Sequence, residues 1–205
     1  MNKSILTVVV FTFVISHTSG QITFGAKAGI NFANVYNIGS TDNKTRFGIN
    51  AGLLGKVNVS KKVFIQLETL YSIKGHKFPK TTLSGAGFLS LNYISIPLLG
   101  GFNFTDKFSA FLGPEFNFLT NANSKFDDSN HDVSKNYRKF DFAIDLGVAY
   151  NPNNKLGIDL RYSYGFEDLA DVTTTDLLGN PIGKERKGSN RVLQLGLYYY
   201  IFARK

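Results

Sequence analysis

Eight segments of this 205-residue chain alternate apolar and polar residues with a period of two. Because successive side chains of a β-strand point to opposite faces, each segment predicts a strand with one apolar and one polar face. In the clearest segment, from Phe140 to Tyr150, large apolar residues alternate with Asp, Ala and Gly. The apolar stripes of the eight segments begin at Ile22, Phe47, Val63, Phe88, Phe108, Phe140, Leu156 and Leu193. The repeat indicates an all-β fold.

The fourth segment, from about Phe88 to Phe104, departs from a single alternation. Its apolar residues fall into two sets of opposite phase: Leu89, Leu91 and Tyr93, then Ile94, Ile96 and Leu98. A β-bulge would reconcile the two phases, and Pro97 cannot donate to the hydrogen-bond ladder. We therefore predict a bulge near residues 95–97.

The connections between the segments alternate in length. Short turns follow the second, fourth and sixth segments, at residues 60–62, 105–107 and 151–154. Long polar stretches follow the first, third, fifth and seventh, at about residues 33–44, 75–87, 120–139 and 167–190. Short turns on one side and long loops on the other are typical of outer-membrane barrels, whose short turns face the periplasm.

The polar stripe indicates which face points into the barrel. Eight charged residues lie on it, beside many glycines: Lys27, Lys56, Glu68, Glu115, Asp141, Asp145, Asp159 and Arg161. An eight-stranded barrel encloses a space that side chains just fill, so glycines and paired charges fit inside better than rows of Phe and Leu. We predict an eight-stranded antiparallel up-and-down transmembrane β-barrel of the outer-membrane type, whose apolar face meets lipid and whose closure satisfies the backbone.

The charges of the polar stripe have both signs, which predicts buried ion pairs in the lumen. The possible pairs are Arg161 with Asp145 or Asp141, and Lys27 or Lys56 with Glu68 or Glu115. A proton or ion path is the alternative, although eight-stranded barrels are usually filled. Aromatic residues near strand ends are candidates for interfacial girdles: Phe32, Tyr71, Tyr93, Tyr150 and Tyr164.

The first 20 residues predict a secretory signal peptide. Lys3 precedes an apolar run at residues 5–15, and we expect cleavage between Gly20 and Gln21. The run is shorter than the roughly 20 residues that a spanning helix needs. An uncleaved anchor is the alternative. The mature barrel domain is then expected at residues 21–205, in the cell outer membrane.

Three stretches resemble the PorT-like outer-membrane β-barrel family of Bacteroidota. They are QITFGAKAGIN at residues 21–31, LNYISIPLL at 91–99 and LGPEFNF at 112–118. The last strand also resembles an outer-membrane assembly signal, through Gln194, Gly196, Tyr199 and Ile201. The usual terminal aromatic is displaced, because Phe202 is followed by three further residues. The resemblance implies insertion by the barrel assembly machinery and brings no catalytic residues, and the family name is tied to type IX secretion.

The rest of the chain offers little chemistry. His76 and His131 lie in different predicted loops, with no nucleophile elbow beside them. Residues 127–132 are rich in oxygen ligands but lack the Gly and the later Glu of a calcium loop. We therefore predict no catalytic residue, metal or cofactor. The net charge of +8 is scattered, so we expect lipid and lipopolysaccharide phosphates as partners rather than nucleic acid.

These observations leave three functional hypotheses. The first is a non-enzymatic integral outer-membrane barrel with a structural or surface-interaction role through long extracellular loops. The second is an outer-membrane accessory of transport or protein secretion, with a surface or periplasmic protein partner. The third is a soluble exported lipocalin-like binding protein, in which the apolar face would point inward.

Overall fold

The structure is a computed structural model that describes residues 22–36, 44–78, 87–126, 129–166, 169–175 and 181–203. Within these ranges it contains eleven β-strands: β1 (Ile22–Tyr36), β2 (Lys44–Asn58), β3 (Val63–Phe78), β4 (Gly87–Asn103), β5 (Phe108–Phe126), β6 (Ser129–Asp132), β7 (Phe140–Tyr150), β8 (Leu156–Gly165), β9 (Ala170–Thr175), β10 (Pro181–Lys187) and β11 (Ser189–Ala203). A short 3-10 helix lies at Ser134–Asn136. Within the same ranges, no helix is long and apolar enough to cross a membrane. The predicted signal peptide falls outside the described residues.

Eight of the strands form a closed ring. The order β4-β3-β2-β1-β11-β8-β7-β5 is closed by pairing of β4 with β5, and every neighbouring pair is antiparallel. The prediction of an eight-stranded up-and-down barrel is therefore confirmed. Two additions lie at the end of the barrel that carries the long loops: β6 extends the ladder of β5, and β9 and β10 form a separate hairpin.

The apolar stripes face outward and the polar stripes face the lumen. Leu53 and Leu146, for example, are 65% and 59% exposed, whereas Glu115 and Arg161 are fully buried. This orientation contradicts the soluble lipocalin-like hypothesis, which needs the apolar stripe inside and the charges in water. An apolar exterior on a ring without free strand edges is what a bilayer requires, because lipid offers no partner to backbone N–H and C=O groups.

The lumen is filled in three layers rather than by charges and glycines alone. An apolar short-turn layer lies toward the short turns and consists of Leu54, Phe64, Leu99, Phe111, Ala149, Tyr198 and Tyr200. An apolar long-loop layer lies at the opposite end and consists of Val35, Leu89, Leu91, Tyr93, Leu119, Ala122 and Leu169. The charged residues occupy the space between these layers. Tyr93 was expected in an interfacial girdle, but it points into the lumen and is buried.

The predicted bulge at residues 95–97 is wrong. Pro97 interrupts the ladder with β3, which passes from the pair Leu67–Leu98 to the pair Leu70–Ser95 without a change of register. The register shift of this region lies instead between Asn92 and Tyr93 against β5, where Thr120 is the extra residue. The two apolar phases of β4 have a different cause, because Leu89, Leu91 and Tyr93 belong to the long-loop layer inside the barrel.

The strands also continue past the predicted loop boundaries. β5 has 19 residues, although a transmembrane strand needs only about 9–11. β7 and β8, on another side of the ring, have 11 and 10 residues. The barrel wall is therefore much taller along β3, β4 and β5 than along β7 and β8, and residues predicted to be loop become part of this wall.

Inward glycines accommodate the large rings of the short-turn layer. Three cross-strand pairs bring an aromatic ring directly opposite a glycine: Phe64 with Gly101, Phe111 with Gly147, and Tyr198 with Gly157. A Cβ at these glycines would lie 2.0–2.4 Å from ring atoms of the paired residue. The ring therefore covers the neighbouring backbone, an arrangement in which an aromatic residue compensates for a glycine in a strand.

We expect Gly147→Ala to destabilise the barrel by about 1–3 kcal/mol, the usual cost of overpacking. The new methyl group would lie 2.4 Å from the Phe111 ring and 2.7 Å from the Leu160 carbonyl oxygen. Gly100→Ala is the matched control, because its nearest atom, the Leu112 carbonyl oxygen, is 3.8 Å away. Urea unfolding of the barrel in lipid vesicles measures both, and equal stabilities would contradict the proposed role of the glycine–ring pairs.

Candidate functional site

The centre of the middle layer is Arg161, which extends from β8 into the lumen. Its Nη2 lies 2.7 Å from Oε1 of Glu68 on β3, and its Nη1 lies 3.2 Å from Oδ2 of Asp145 on β7. All three side chains are fully buried. Because β3 and β8 lie on opposite sides of the ring, the ion pair between Arg161 and Glu68 links the two walls across the lumen.

Lys27 on β1 joins the same cluster from another direction. Its Nζ makes an ion pair with Asp159 on β8 and lies 3.5 Å from both carboxylate oxygens of Glu68. Gly196 on β11 leaves space for this pair, since a Cβ there would be 2.6 Å from both Lys27 Cε and Asp159 Oδ1. Gln66 adds a hydrogen bond to Glu68 Oε1 at 2.6 Å. Glu68 is thus the anion shared by both cations.

A second cluster surrounds Lys74 of β3, closer to the long loops. The Lys74 Nζ lies 2.7 Å from Glu115 Oε1 and 2.9 Å from Asn117 Oδ1, both on β5. The hydroxyl of Ser163 on β8 donates to the same Glu115 oxygen at 3.1 Å. This cluster again connects strands that are not neighbours in the ring.

A smaller amide cluster lies beside these charges. The side-chain amide of Asn50 donates to Asn31 Oδ1 at 2.6 Å, and Asn31 donates to Ser72 Oγ at 3.0 Å and to the Ile73 carbonyl at 2.9 Å. These hydrogen bonds join β1, β2 and β3. Hydrogen bonds of this kind offset the free energy of about 1–3 kcal/mol that an unpaired buried polar group costs.

The structure brings together six of the eight residues expected in the polar interior: Lys27, Glu68, Glu115, Asp145, Asp159 and Arg161. Two of the possible pairs are present, Arg161 with Asp145 and Lys27 with Glu68. Asp141 is also buried and receives a hydrogen bond from Asn190 at 2.8 Å. Its side chain therefore lies in the lumen, as expected.

Lys56 does not join the ion pairs. It is half-buried at the short-turn end, and its Nζ lies 3.8 Å from the centroid of the Phe64 ring. The short-turn layer separates it from Glu68 and Glu115, so the expected pairing of Lys56 with either residue is wrong. Lys74 was not expected among the ion-pair residues. The alternation could have identified it, because Lys74 lies on the same inward face of β3 as Gln66, Glu68 and Ser72.

The two clusters contain more acidic than basic side chains. They contain three cations, Lys27, Lys74 and Arg161, and four carboxylates, Glu68, Glu115, Asp145 and Asp159. Arg161 contacts two of these carboxylates and carries a charge that does not titrate in proteins. With an apolar layer on each side, the arrangement is suited to filling the lumen and holding its walls together.

In the part of the chain that the structure describes, the titratable residues outside this layer do not come together in a catalytic or metal site. Among the described residues, no three His, Cys, Asp or Glu side chains are placed to hold a metal. His76 is buried with its ring against Phe78, at 4.5 Å between centroids, whereas His131 is exposed on β6. Hydrogen bonds from the hydroxyl and backbone N–H of Ser134 lower the pKa of Asp132, which therefore caps a turn. Residues 127 and 128 lie outside the described ranges.

The four residues of the suggested assembly signal all lie on β11, the strand that pairs with both β1 and β8. Gln194 is buried in the lumen, and Gly196 is the glycine beside Lys27 and Asp159. Tyr199 and Ile201 point outward and are about half exposed. Their role in recognition by the barrel assembly machinery stays a prediction.

Comparison with known proteins supports the architecture. The sequence model of a family described as the outer membrane protein β-barrel domain matches residues 16–171. Comparison with curated protein sequences gives no match.

Two solved structures share the fold at low sequence identity. Ail, the attachment invasion locus protein of Yersinia pestis, is 16% identical with a TM-score of 0.51, over 89% of this chain and 99% of Ail. Neisserial surface protein A, NspA, is 13% identical with a TM-score of 0.55, over 86% of this chain and 96% of NspA. At these identities the similarity establishes the fold and leaves the role of each side chain to its own geometry.

We expect Arg161→Met to destabilise the barrel by about 3–5 kcal/mol, because it leaves Glu68 and Asp145 buried without this counter-charge. Arg191→Met is the matched control. Arg191 is only half-buried, and its guanidinium lies over the Tyr164 ring at 3.5 Å. Unfolding midpoints in vesicles compare the two variants, and an equal effect would show that the lumenal ion pairs contribute nothing particular.

Proposed function

The chain belongs to the outer membrane protein β-barrel domain family and lies in the outer membrane, and from this premise we propose that it is a non-enzymatic barrel whose working surface is its long-loop end. One observation carries the proposal: the lumen is filled by two apolar layers and an ion-pair layer, while β3, β4 and β5 extend well beyond the length that a bilayer needs. In the orientation usual for such barrels, this tall end faces the cell exterior.

Part of the long-loop end is packed against the barrel. The connection between β5 and β7 folds back on the barrel, where Val133 and Tyr137 pack against the long-loop layer. The backbone N–H of Val133 donates to the Ala122 carbonyl at 2.9 Å, and that of Arg138 donates to the Leu169 carbonyl at 2.8 Å. Burial raises the pKa of the Tyr137 hydroxyl. This packed connection is suited to binding a partner without a large ordering cost.

The phosphates of lipopolysaccharide are the first partner that we propose for this end. Lys44, Lys77, Phe88 and Lys125 form one row of directly paired residues across β2, β3, β4 and β5. All three lysines are exposed. Because like charges directly opposite each other in a sheet repel, Lys44 and Lys77 favour an anion placed between them. A lipid phosphate at the edge of the apolar wall supplies one.

Transport or secretion is the second candidate, supported by the PorT-like stretches at residues 21–31, 91–99 and 112–118. In that case the barrel acts as an accessory that anchors a periplasmic protein. The β11 residues Gln194, Gly196, Tyr199 and Ile201 support insertion by the barrel assembly machinery under both candidates.

The lipopolysaccharide contact predicts a lipid-specific stability difference. We expect lipopolysaccharide in the vesicles to raise the unfolding midpoint of the barrel, and Lys77→Gln/Lys125→Gln to lose at least about half of that rise, since each charge-assisted hydrogen bond contributes about 1.5–3 kcal/mol. Lys107→Gln/Lys155→Gln, on the short turns, removes the same charge and should keep the full rise. If both double variants keep it, the lysine row does not bind the lipid.

The two candidate functions separate when the β9–β10 hairpin is removed. The N–H of Leu169 lies 2.6 Å from the carbonyl oxygen of Gly188, so an Asn-Gly turn can replace residues 170–187 without moving the barrel. We expect the shortened barrel to shift on a gel after boiling, as the intact chain does. If the long-loop end is the working surface, cells that make the shortened barrel should lose the binding of partners at the cell surface, and their protein secretion should be unchanged. Lost secretion with retained surface binding would favour the accessory function.

A further inference from the structure

The mouth of the barrel at the short-turn end contains a cavity of about 620 Å³. It is bounded by the three short turns and by the ends of β1, β2, β4 and β11. Three of the lining residues are lysines, Lys56, Lys61 and Lys62, and one is an acid, Asp106. The cavity wall therefore has two more positive than negative side chains. The cavity volume lies in the range of ligand-binding sites and is much larger than a single small ion needs.

Lys56 differs from the other lumenal cations. It is paired on β1 with the buried Thr23 and on β3 with the buried Gln66, so it belongs to the inward face of β2. Lys27, Lys74 and Arg161 each contact a buried carboxylate, whereas Lys56 has no ion-pair partner among the described residues. Its Nζ lies over the Phe64 ring instead, at 3.8 Å. Lys56 thus presents to the cavity a positive charge that has no ion-pair partner in the described part of the chain.

Tyr200 gives a second indication that the cavity is a site. Its side chain is almost fully buried and lines the cavity, and its hydroxyl neighbours that of Tyr198. The Tyr198 hydroxyl donates to Asn151 Oδ1 at 2.7 Å. Because a tyrosine hydroxyl can donate as well as accept, Tyr200 can donate a hydrogen bond to a carboxylate that enters the cavity.

We propose that this cavity binds an acidic segment of a periplasmic protein, with one carboxylate at Lys56 and Tyr200 and a second at Lys61 or Lys62. The proposal uses the orientation of the proposed function, which puts the short turns in the periplasm, but not the lipopolysaccharide contact. Lipid headgroups lie outside the strand ring, whereas this cavity opens inside it. Peptidoglycan stem peptides carry an amine beside their carboxylates, so a wall with surplus lysines favours a segment that carries carboxylates alone.

Binding of a labelled peptide to the full-length barrel in nanodiscs tests the proposal. The probe is an N-acetylated, C-amidated peptide of alternating Asp and Glu, measured by fluorescence anisotropy at low and at physiological salt. We expect binding that weakens with salt, a loss of about tenfold in affinity for Lys56→Gln, a similar loss for Lys61→Gln/Lys62→Gln, and near-normal binding for Lys56→Arg. The control Lys107→Gln/Lys155→Gln removes turn lysines that do not line the cavity and should bind as the unmodified chain does.

Other results would overturn the proposal. The matched Asn and Gln peptide binding equally well would mean that charge is not recognised. Inorganic phosphate competing at the same concentration would reduce the site to a general anion site, and a muropeptide binding more tightly would make the cavity a cell-wall contact. If Lys56→Gln binds the peptide with unchanged affinity, and the gel shift shows an intact barrel, the peptide does not bind in this cavity. The lipopolysaccharide assay uses other lysines, so either experiment can fail without the other.

Discussion

The narrowness of an eight-stranded ring is the constraint on which the rest of this structure depends. The ring encloses a space that its own side chains must fill, and its outer face must remain apolar for lipid. Charged residues that would be solvated on a soluble protein therefore lie inside, where only mutual pairing makes their burial tolerable. Arg161, Lys27 and Lys74 satisfy this requirement by contacting carboxylates on other strands. The ion pairs follow from the geometry of the ring before any function is considered.

Filling the lumen also separates the two ends of the molecule. An apolar layer lies on each side of the ion pairs, and each layer is built from the strand ends near one set of connections. The end with the tall wall offers lysines on its outer surface, whereas the end with short turns offers a lysine-lined cavity inside the ring. The two ends therefore present positive charge to different surroundings, one to the membrane surface and one to the space enclosed by the mouth.

The sequence predicted the parts of the fold that depend on alternation, and it missed the parts that depend on depth in the barrel. A period of two identifies a strand and its faces, so Phe140–Tyr150 and the inward position of Arg161 could be predicted. The same period says nothing about height along the axis. Lys56 shares a face with the ion-pair residues but lies beyond Phe64, and Lys74 was left out although it lies close enough to reach Glu115. The inward Leu89 and Leu91 were mistaken for a change of phase because a mixed lumen was not expected.

The contacts of Lys27 have a consequence for how the chain acquires its structure. Lys27 is on the first strand, its partner Asp159 is 132 positions later, and the glycine that makes room for both is on the last strand. Such distant contacts cannot form while the chain is still incomplete, and they slow folding because a long loop must close before they contribute any free energy. The first strand can therefore contact Glu68 on β3 early, whereas its ion pair with Asp159 must wait for β8. The Lys27–Asp159 ion pair and the pairing of β1 with β11 thus both form late, so premature burial of a partial barrel in lipid is disfavoured.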